Sequence, residues 1–544
     1  MRKIIILTSL LLSVVISWGQ ESKTKGVLSG SFQMDGTYYT DTTSQKARPE
    51  LYGINAYGNF NYTYGKFSAG LRYELYQPPM MGYDMQYKGL GIPYKYLTYR
   101  SDNMTFTLGN FYEQFGSGMI LRAYEEKTLG YDNAMEGVSV KYNPFRGIYL
   151  KGLVGKQRSY WNTDGLIRGI DGEFIINDIF KIENQKLPYI TLGGSFVSKY
   201  QDPKHISLYL PANVGAGAAR MSILYKKINL SGEYVYKAND PSADNNFIYK
   251  AGEGLLINAT YSTKGLGIYL SAKRLDNMYF RSNRNSAGTV YLINNPPAIA
   301  QEHTYSLSAM YPFATQANGE MGLQSQIAYK FKKKSLLGGK YGTKVTVSYS
   351  DVYDIKRNAI DEDTEINEKG TMGYQSSLGE LGQHLYVDAN IKIHKKINKK
   401  LKGSFIQQYQ EFDNTIFHVG DYHATIYTHI SVLDITYKIN KHHAIRTEME
   451  HLYTQQDKGS WAMLMLEYTV SPHWFFVVWD QWNYGNSSSA DKEHFYNASL
   501  GYIKNSNRIQ LSYGKQREGV VCAGGVCRYV PAFEGIMVSL TSTF

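Results

Sequence analysis

Along most of the chain, apolar and polar residues alternate with period two. The alternating stretches run about 9–11 residues, the length a tilted strand needs to cross a bilayer. Phe67, Ala69, Leu71, Tyr73 and Leu75 share one face, and Ser68, Gly70, Arg72 and Glu74 the other. Leu266, Ile268, Leu270 and Ala272 alternate with Gly267, Tyr269, Ser271 and Lys273. Val345, Val347 and Tyr349 do so with Lys344, Thr346, Ser348 and Ser350, and Ile509, Leu511 and Tyr513 with Arg508, Gln510, Ser512 and Gly514. The apolar set is assigned to lipid and the polar set to a lumen.

The connections alternate in length. Short turns are expected at Gly65-Lys66, Ser101 to Asn103, Asn143 to Gly147, Lys264-Gly265, Ser471 to His473 and Lys504 to Asn507. Long loops fall between them at 77–93, 112–136, 276–300, 354–382 and 518–532. The pattern predicts an all-β protein: a single transmembrane antiparallel barrel of about 24 strands (22–26), with long extracellular loops and short periplasmic turns. The stretch 282–320 leaves the count open by about two, because Tyr291 to Pro297 and His303 to Met310 read equally as outer loop or as an extra hairpin.

Both ends carry signals of export. Arg2 and Lys3 precede an apolar run from Ile4 to Ile16, and the small residues Ser17 and Gly19 follow it. This is the three-part pattern of a secretory signal peptide. It divides the chain into a signal peptide (1–19), a short tail (20–26) and a barrel (27–544). The alternative, an N-terminal anchor, would need about 20 apolar residues to span a bilayer as a helix. No Cys follows the run, which argues against a lipoprotein. At the other end, Ile536, Val538, Leu540 and Phe544 share one parity and Met537, Ser539, Thr541 and Thr543 the other, so an amphipathic strand reaches the last residue. A terminal aromatic such as Phe544 is similar to the C-terminal signal of bacterial outer-membrane barrels, which the barrel-insertion machinery reads.

Composition sharpens this choice. With 49 Tyr, 51 Gly and only 14 Pro, the chain suits long uninterrupted ladders bounded by aromatic girdles. A soluble propeller or solenoid would show a fixed-period repeat, and none is found. The net charge of +11 would also suit nucleic acid. The charges sort by position instead. Predicted turns are basic (Lys226-Lys227, Lys332 to Lys334, Lys395-Lys396, Lys399-Lys400), and the predicted outer loop 354–382 is acidic (Asp361, Glu362, Asp363, Glu365, Glu368). Lysines at the inner rim would meet lipid headgroups, or would simply be solvated. Outer-membrane lipids are therefore expected as partners and nucleic acid is not. Calcium on Asp361, Asp363 and Glu365 would need a Gly-punctuated ligand loop that is missing here. No metal or cofactor is expected.

Motifs for catalysis are absent: no H-E-x-x-H, no G-x-S-x-G and no phosphate-binding loop. The twelve His are scattered, and the chain is not expected to be an enzyme. Loop 112–136 mixes Phe115, Met119, Ile120 and Leu121 with Gly116, Gly118, Arg122, Glu125 and Glu126. A solvated loop has no use for that apolar run. It is expected to fold inward as a constriction; the alternative is packing against neighbouring outer loops. Arg446, Glu448 and Glu450 share a lumenal parity, Glu467 follows on the next strand, and Asp434 and Asp480 are expected inward on flanking strands. They would form a charged ladder, either a solute filter or a hydrogen-bonded wall. Cys522 and Cys527 are expected to form a disulfide, since an even cysteine count in an exported chain favours one and Gly524-Gly525 lets the short loop close.

Two passages carry a family likeness: Gly109 to Asn133, with Asn110 to Gly116 at its start, and Arg446 to Trp461, with His451 to Gly459 in its middle. They resemble an uncharacterised family of outer-membrane barrels from the Bacteroidetes group. The resemblance implies a barrel in the outer membrane, and brings no substrate and no catalytic residues. A porin-like or gated channel for small solutes, exported through the general secretory route, is the function expected. The alternative is a non-conducting scaffold or docking barrel within an envelope export or uptake complex, with a protein partner. A TonB-dependent receptor would need a plug domain ahead of the barrel, and here the first strand is expected near Val27.

Overall fold

The computed structural model describes residues 26–40, 50–184, 186–204, 207–417, 424–523 and 526–544. The signal peptide expected over 1–19 lies outside the described residues.

Each alternating stretch becomes a strand that pairs antiparallel with the next in sequence, giving one 24-stranded sheet. The first strand, Val27–Tyr39, pairs with Tyr52–Tyr64 on one side and with the last, Phe533–Thr543, on the other. The sheet therefore closes into a barrel and leaves no open edge, so both outermost strands are paired in a medium without water. Phe544 completes the seam: its backbone exchanges two 3.0 Å hydrogen bonds with Gly30. Its ring lies 6.3 Å from that of Phe60.

Tight turns form where the sequence supplies residues that accept positive φ. Gly265 sits at φ +87° between Gly252–Thr263 and Leu266–Asp276, and Asn505 at +54° between His494–Lys504 and Asn507–Gln516. Two-residue hairpins need that region to match the twist of the strands. The basic segments predicted as turns all lie, exposed, at this short-turn end, and the acidic segment 361–368 lies exposed at the long-loop end.

The outer face is apolar. Leu270, Leu323, Val478 and Leu511 are each about half exposed. Exposed aromatic residues gather at both strand ends: Tyr64, Phe67, Tyr225, Tyr437 and Trp474 beside the short turns, and Tyr38, Tyr52, Tyr200, Tyr453 and Trp482 beside the long loops. An apolar band flanked by two aromatic girdles is the surface a barrel presents to a bilayer.

The inner face departs from the simple polar assignment. Toward the long-loop end, Leu153, Ile167, Val197, Val235, Leu275, Val352, Ile430 and Leu452 point inward and are buried. They cover two chain segments that sit inside the barrel. One is 112–134. The other is 277–318, between Leu266–Asp276 and Gly319–Lys330. The second segment is neither an outer loop nor an added barrel hairpin, the two options left open by its sequence. It has no strand in the described residues and only one isolated bridge, Arg281 with Leu292.

Candidate functional site

The lumenal segments are built from short pieces that could not fold alone. In the first, Gln114–Phe115 pairs with Leu121–Arg122, and Glu125–Glu126 with Tyr131–Asp132. Phe115, Met119, Ile120 and Leu121 are essentially fully buried, in one cluster with wall residues Leu153, Val197, Val235 and Leu275 and with Met278, Phe280 and Ile293 of the second segment. Burying a side chain of this size is worth about 1.5–3 kcal/mol, which explains why an apolar loop run leaves solvent. Gly116, at φ +52°, passes so close to the wall that an added Cβ would lie 2.5 Å from Oε1 of Glu233. The next backbone N–H, of Ser117, donates to Glu233 Oε2 at 2.8 Å.

The two segments are hydrogen-bonded to each other. Arg122 N donates to Ile293 O at 2.8 Å and Asn295 N to Gly118 O at 3.1 Å. Asn294 Nδ2 donates to Met119 O at 2.9 Å, and Asn133 Nδ2 to Leu292 O at 3.0 Å. The Arg122 guanidinium stacks over Tyr124, 4.4 Å from its centroid. Glu126 accepts from Thr128 N at 3.1 Å.

A buried ion network ties the first segment to the wall. Asp132 pairs with Arg72 of Phe67–Tyr76 and, at 2.5 Å, with Arg158 of Ile148–Ser159. Arg72 reaches Glu74 at 2.7 Å and Glu125 at 2.8 Å, and Arg158 reaches Glu74 at 2.6 Å. Burial raises the Glu125 carboxyl above the ordinary range, and Arg72 offsets part of that rise. The network was not legible beforehand, because Arg72, Asp132 and Arg158 come from three separated stretches with no spacing signal.

The second segment is anchored on the opposite arc. Leu307, Tyr311 and Phe313 are buried against Val352, Tyr386, Ile406, Ile430 and Leu452 of the wall. The charged ladder sits at this contact. Glu450 accepts from the backbone N–H of Ser306 at 3.0 Å and of Leu307 at 2.9 Å. Asp434 accepts from Tyr305 Oη at 3.0 Å. Arg446 pairs with Asp434 at 3.1 Å, with Glu448, and with Glu467 at 3.7 Å. Five of the six residues expected in the ladder therefore stand together, and two of them hold the lumenal segment directly. Asp480 departs from that expectation. It shares the parity of Phe476, Val478 and Trp482 on Trp474–Trp482 and faces outward; its side chain is 48% exposed and meets His494 at 2.9 Å. A charge at a strand's loop end can sit on the outer face beyond the apolar band.

Further ties hold the second segment. His303 Nε2 lies 2.7 Å from Asp388 Oδ2, and Tyr311 Oη donates to Asp457 at 2.8 Å. Lys273 and Glu320, both fully buried, form an ion pair, and Lys273 Nζ also donates to Pro297 O at 2.5 Å. A cavity of about 300 Å³ remains between the two segments and the wall, lined by Ser117, Asn258, Tyr269, Lys273 and Ile299. Cys522 and Cys527 form a disulfide within the hairpin Gly519–Ala523 and Val526–Val530 at the loop end.

A closed barrel with its lumen occupied by its own loops defines the class. The chain belongs to a family of unknown function, DUF6029, whose model matches residues 1–544. No curated protein matches it. Among solved structures it is similar to the translocation pore of the P pilus usher PapC, with 8% identity, 95% of this chain and 99% of that chain covered, and a TM-score of 0.40. It is also similar to the siderophore receptor PirA from Acinetobacter baumannii (10% identity, 96% and 81% covered, TM-score 0.44). A further similarity is to a mutant Rh. blastica porin (10% identity, 65% and 100% covered, TM-score 0.25).

Proposed function

We propose that the protein is a gated channel of the bacterial outer membrane, exported through the general secretory route and held shut at rest by its own segments 112–134 and 277–318. The apolar outer band with its two aromatic girdles supports the membrane location. The observation that carries the gating is the contact of Glu450 with Ser306 and Leu307, a wall carboxylate holding a lumenal segment by two backbone hydrogen bonds. Two hydrogen bonds to a single carboxylate are a local tie that can be broken and remade without unfolding the wall. Small solutes are the cargo class, and the reading assigns no reaction to the protein.

Single-channel recording in planar bilayers tests it. The intact barrel should be silent or open rarely, and variants lacking 114–130 or 281–316 should show large, steady conductance. Steady large openings of the intact barrel would contradict the resting closure. Silence of both deletion variants, with the folded-barrel band intact on unheated gels, would favour a non-conducting docking barrel with an envelope protein partner.

A further inference from the structure

A second cleft, of about 510 Å³, opens at the long-loop end among segments 82–87, 129–133, 158–160, 288–291 and 527–531. Its walls are rich in tyrosine, and those hydroxyls are already engaged. Tyr83 Oη donates to Lys127 O at 2.7 Å, Tyr87 Oη to Gly130 O at 2.8 Å, and Tyr160 Oη to Asp84 at 2.8 Å. Tyr529 Oη donates to Glu518 at 2.7 Å. The cleft thus offers the ring surface of Tyr160, Tyr291 and Tyr529, which are half-buried or exposed, rather than free hydroxyl groups. Tyr87 and Tyr160 stand edge to face with centroids 4.7 Å apart, a rigid corner.

Four charged side chains line this cleft, and three are satisfied. Arg158 and Asp132 pair with each other at 2.5 Å. Asp84 accepts from Tyr160 and, at 2.9 Å, from the backbone N–H of Gln86. Arg528 is the exception. Its guanidinium lies over the Tyr83 ring, 4.1 Å from the centroid, and its Nε and Nη1 are buried with no hydrogen-bond partner among the described residues. Stacking on an aromatic face leaves the in-plane N–H donors of a guanidinium unmet. A desolvated cation without an anion is costly, and a carboxylate is its best-matched partner.

We propose that this cleft binds a small planar aromatic carboxylate, its ring against the tyrosine faces and its carboxylate on Arg528. The rings supply stacking area at little entropic cost, and the guanidinium supplies the charge selection. The site stands whether or not the barrel conducts.

Calorimetry on the full-length barrel in detergent tests this, with benzoate, benzyl alcohol and cyclohexanecarboxylate as probes. Benzoate should bind at least about tenfold more tightly than either of the others, since one lacks the charge and the other the flat ring. Arg528→Gln should remove the preference for benzoate over benzyl alcohol, and Arg528→Lys should keep part of it. Unheated-gel mobility and an intact Cys522–Cys527 bond show that each variant is folded. Equal affinity for all three probes, no benzoate binding at millimolar concentration, or an unchanged preference in folded Arg528→Gln would each overturn the proposal.

Discussion

Glu450 on the barrel wall accepts a 2.9 Å hydrogen bond from the backbone N–H of Leu307, a residue 143 positions earlier that is itself wholly buried. With Ser306 on the other carboxylate oxygen, one side chain fixes the position of a whole lumenal segment. Glu450→Ala removes both acceptors and strands the N–H groups of half-buried Ser306 and buried Leu307. A hydrogen bond to a charged group is worth about 1.5–3 kcal/mol, so open probability should rise at least roughly tenfold. Bilayer recording reads this directly, and an unchanged closed lifetime would show that Glu450 is not a latch.

Neutralising Arg446 should act on the same contact by a different route. It pairs with Asp434, Glu448 and Glu467 and so keeps three carboxylates compatible at one place. In Arg446→Gln the like charges repel, and Asp434 loses its orientation toward Tyr305. Protease susceptibility of 303–313 should increase from the loop side while the barrel's resistance to heat in detergent changes little. Equal protection of the segment in both proteins would exclude the effect.

Asp132 joins Arg72 and Arg158 in a buried network, and removing it takes a charged acceptor from both guanidinium groups. Asp132→Ala should cost about 3–5 kcal/mol. The loss should appear as a lower urea midpoint for protection of the 112–134 segment. The double variant Asp132→Ala with Arg158→Met should lose less than the sum of the two single variants, because either change alone already breaks the Asp132–Arg158 pair. Fully additive losses in the double variant would refute the pairing as the cause.

The disulfide closes a short loop, for which chain-entropy estimates give about 2 kcal/mol. Mass spectrometry should find no alkylation of Cys522 or Cys527 before reduction and two additions after it. Cys522→Ser should loosen the hairpin beside Arg528 and leave the barrel folded. Two reactive thiols in the untreated protein would refute the bond.

Period-two alternation was sufficient for the strands, and turn residues were sufficient for the tight hairpins, because both are local: side-chain direction and backbone φ depend on immediate neighbours. The strand patterns at 67–75, 266–273, 345–350 and 508–514 reappear in register in the closed sheet. Segment 112–134 carries a local signal as well, an apolar run that water disfavours and that is buried in the structure. The path of 277–318 was not, for it alternates weakly and its apolar residues are spaced by Asn, Pro and Ser. What places it is a wall assembled from a dozen strands, whose inward Val, Ile and Leu look in sequence like breaks in the polar set. The same holds for the ion network and for Asp480. Which charges meet depends on the curvature and stagger of a closed sheet, and those are set only when strand 24 reaches strand 1. The sequence by itself determined a barrel and its strand faces; only the tertiary structure decided that the lumen is occupied, and by which residues it is held.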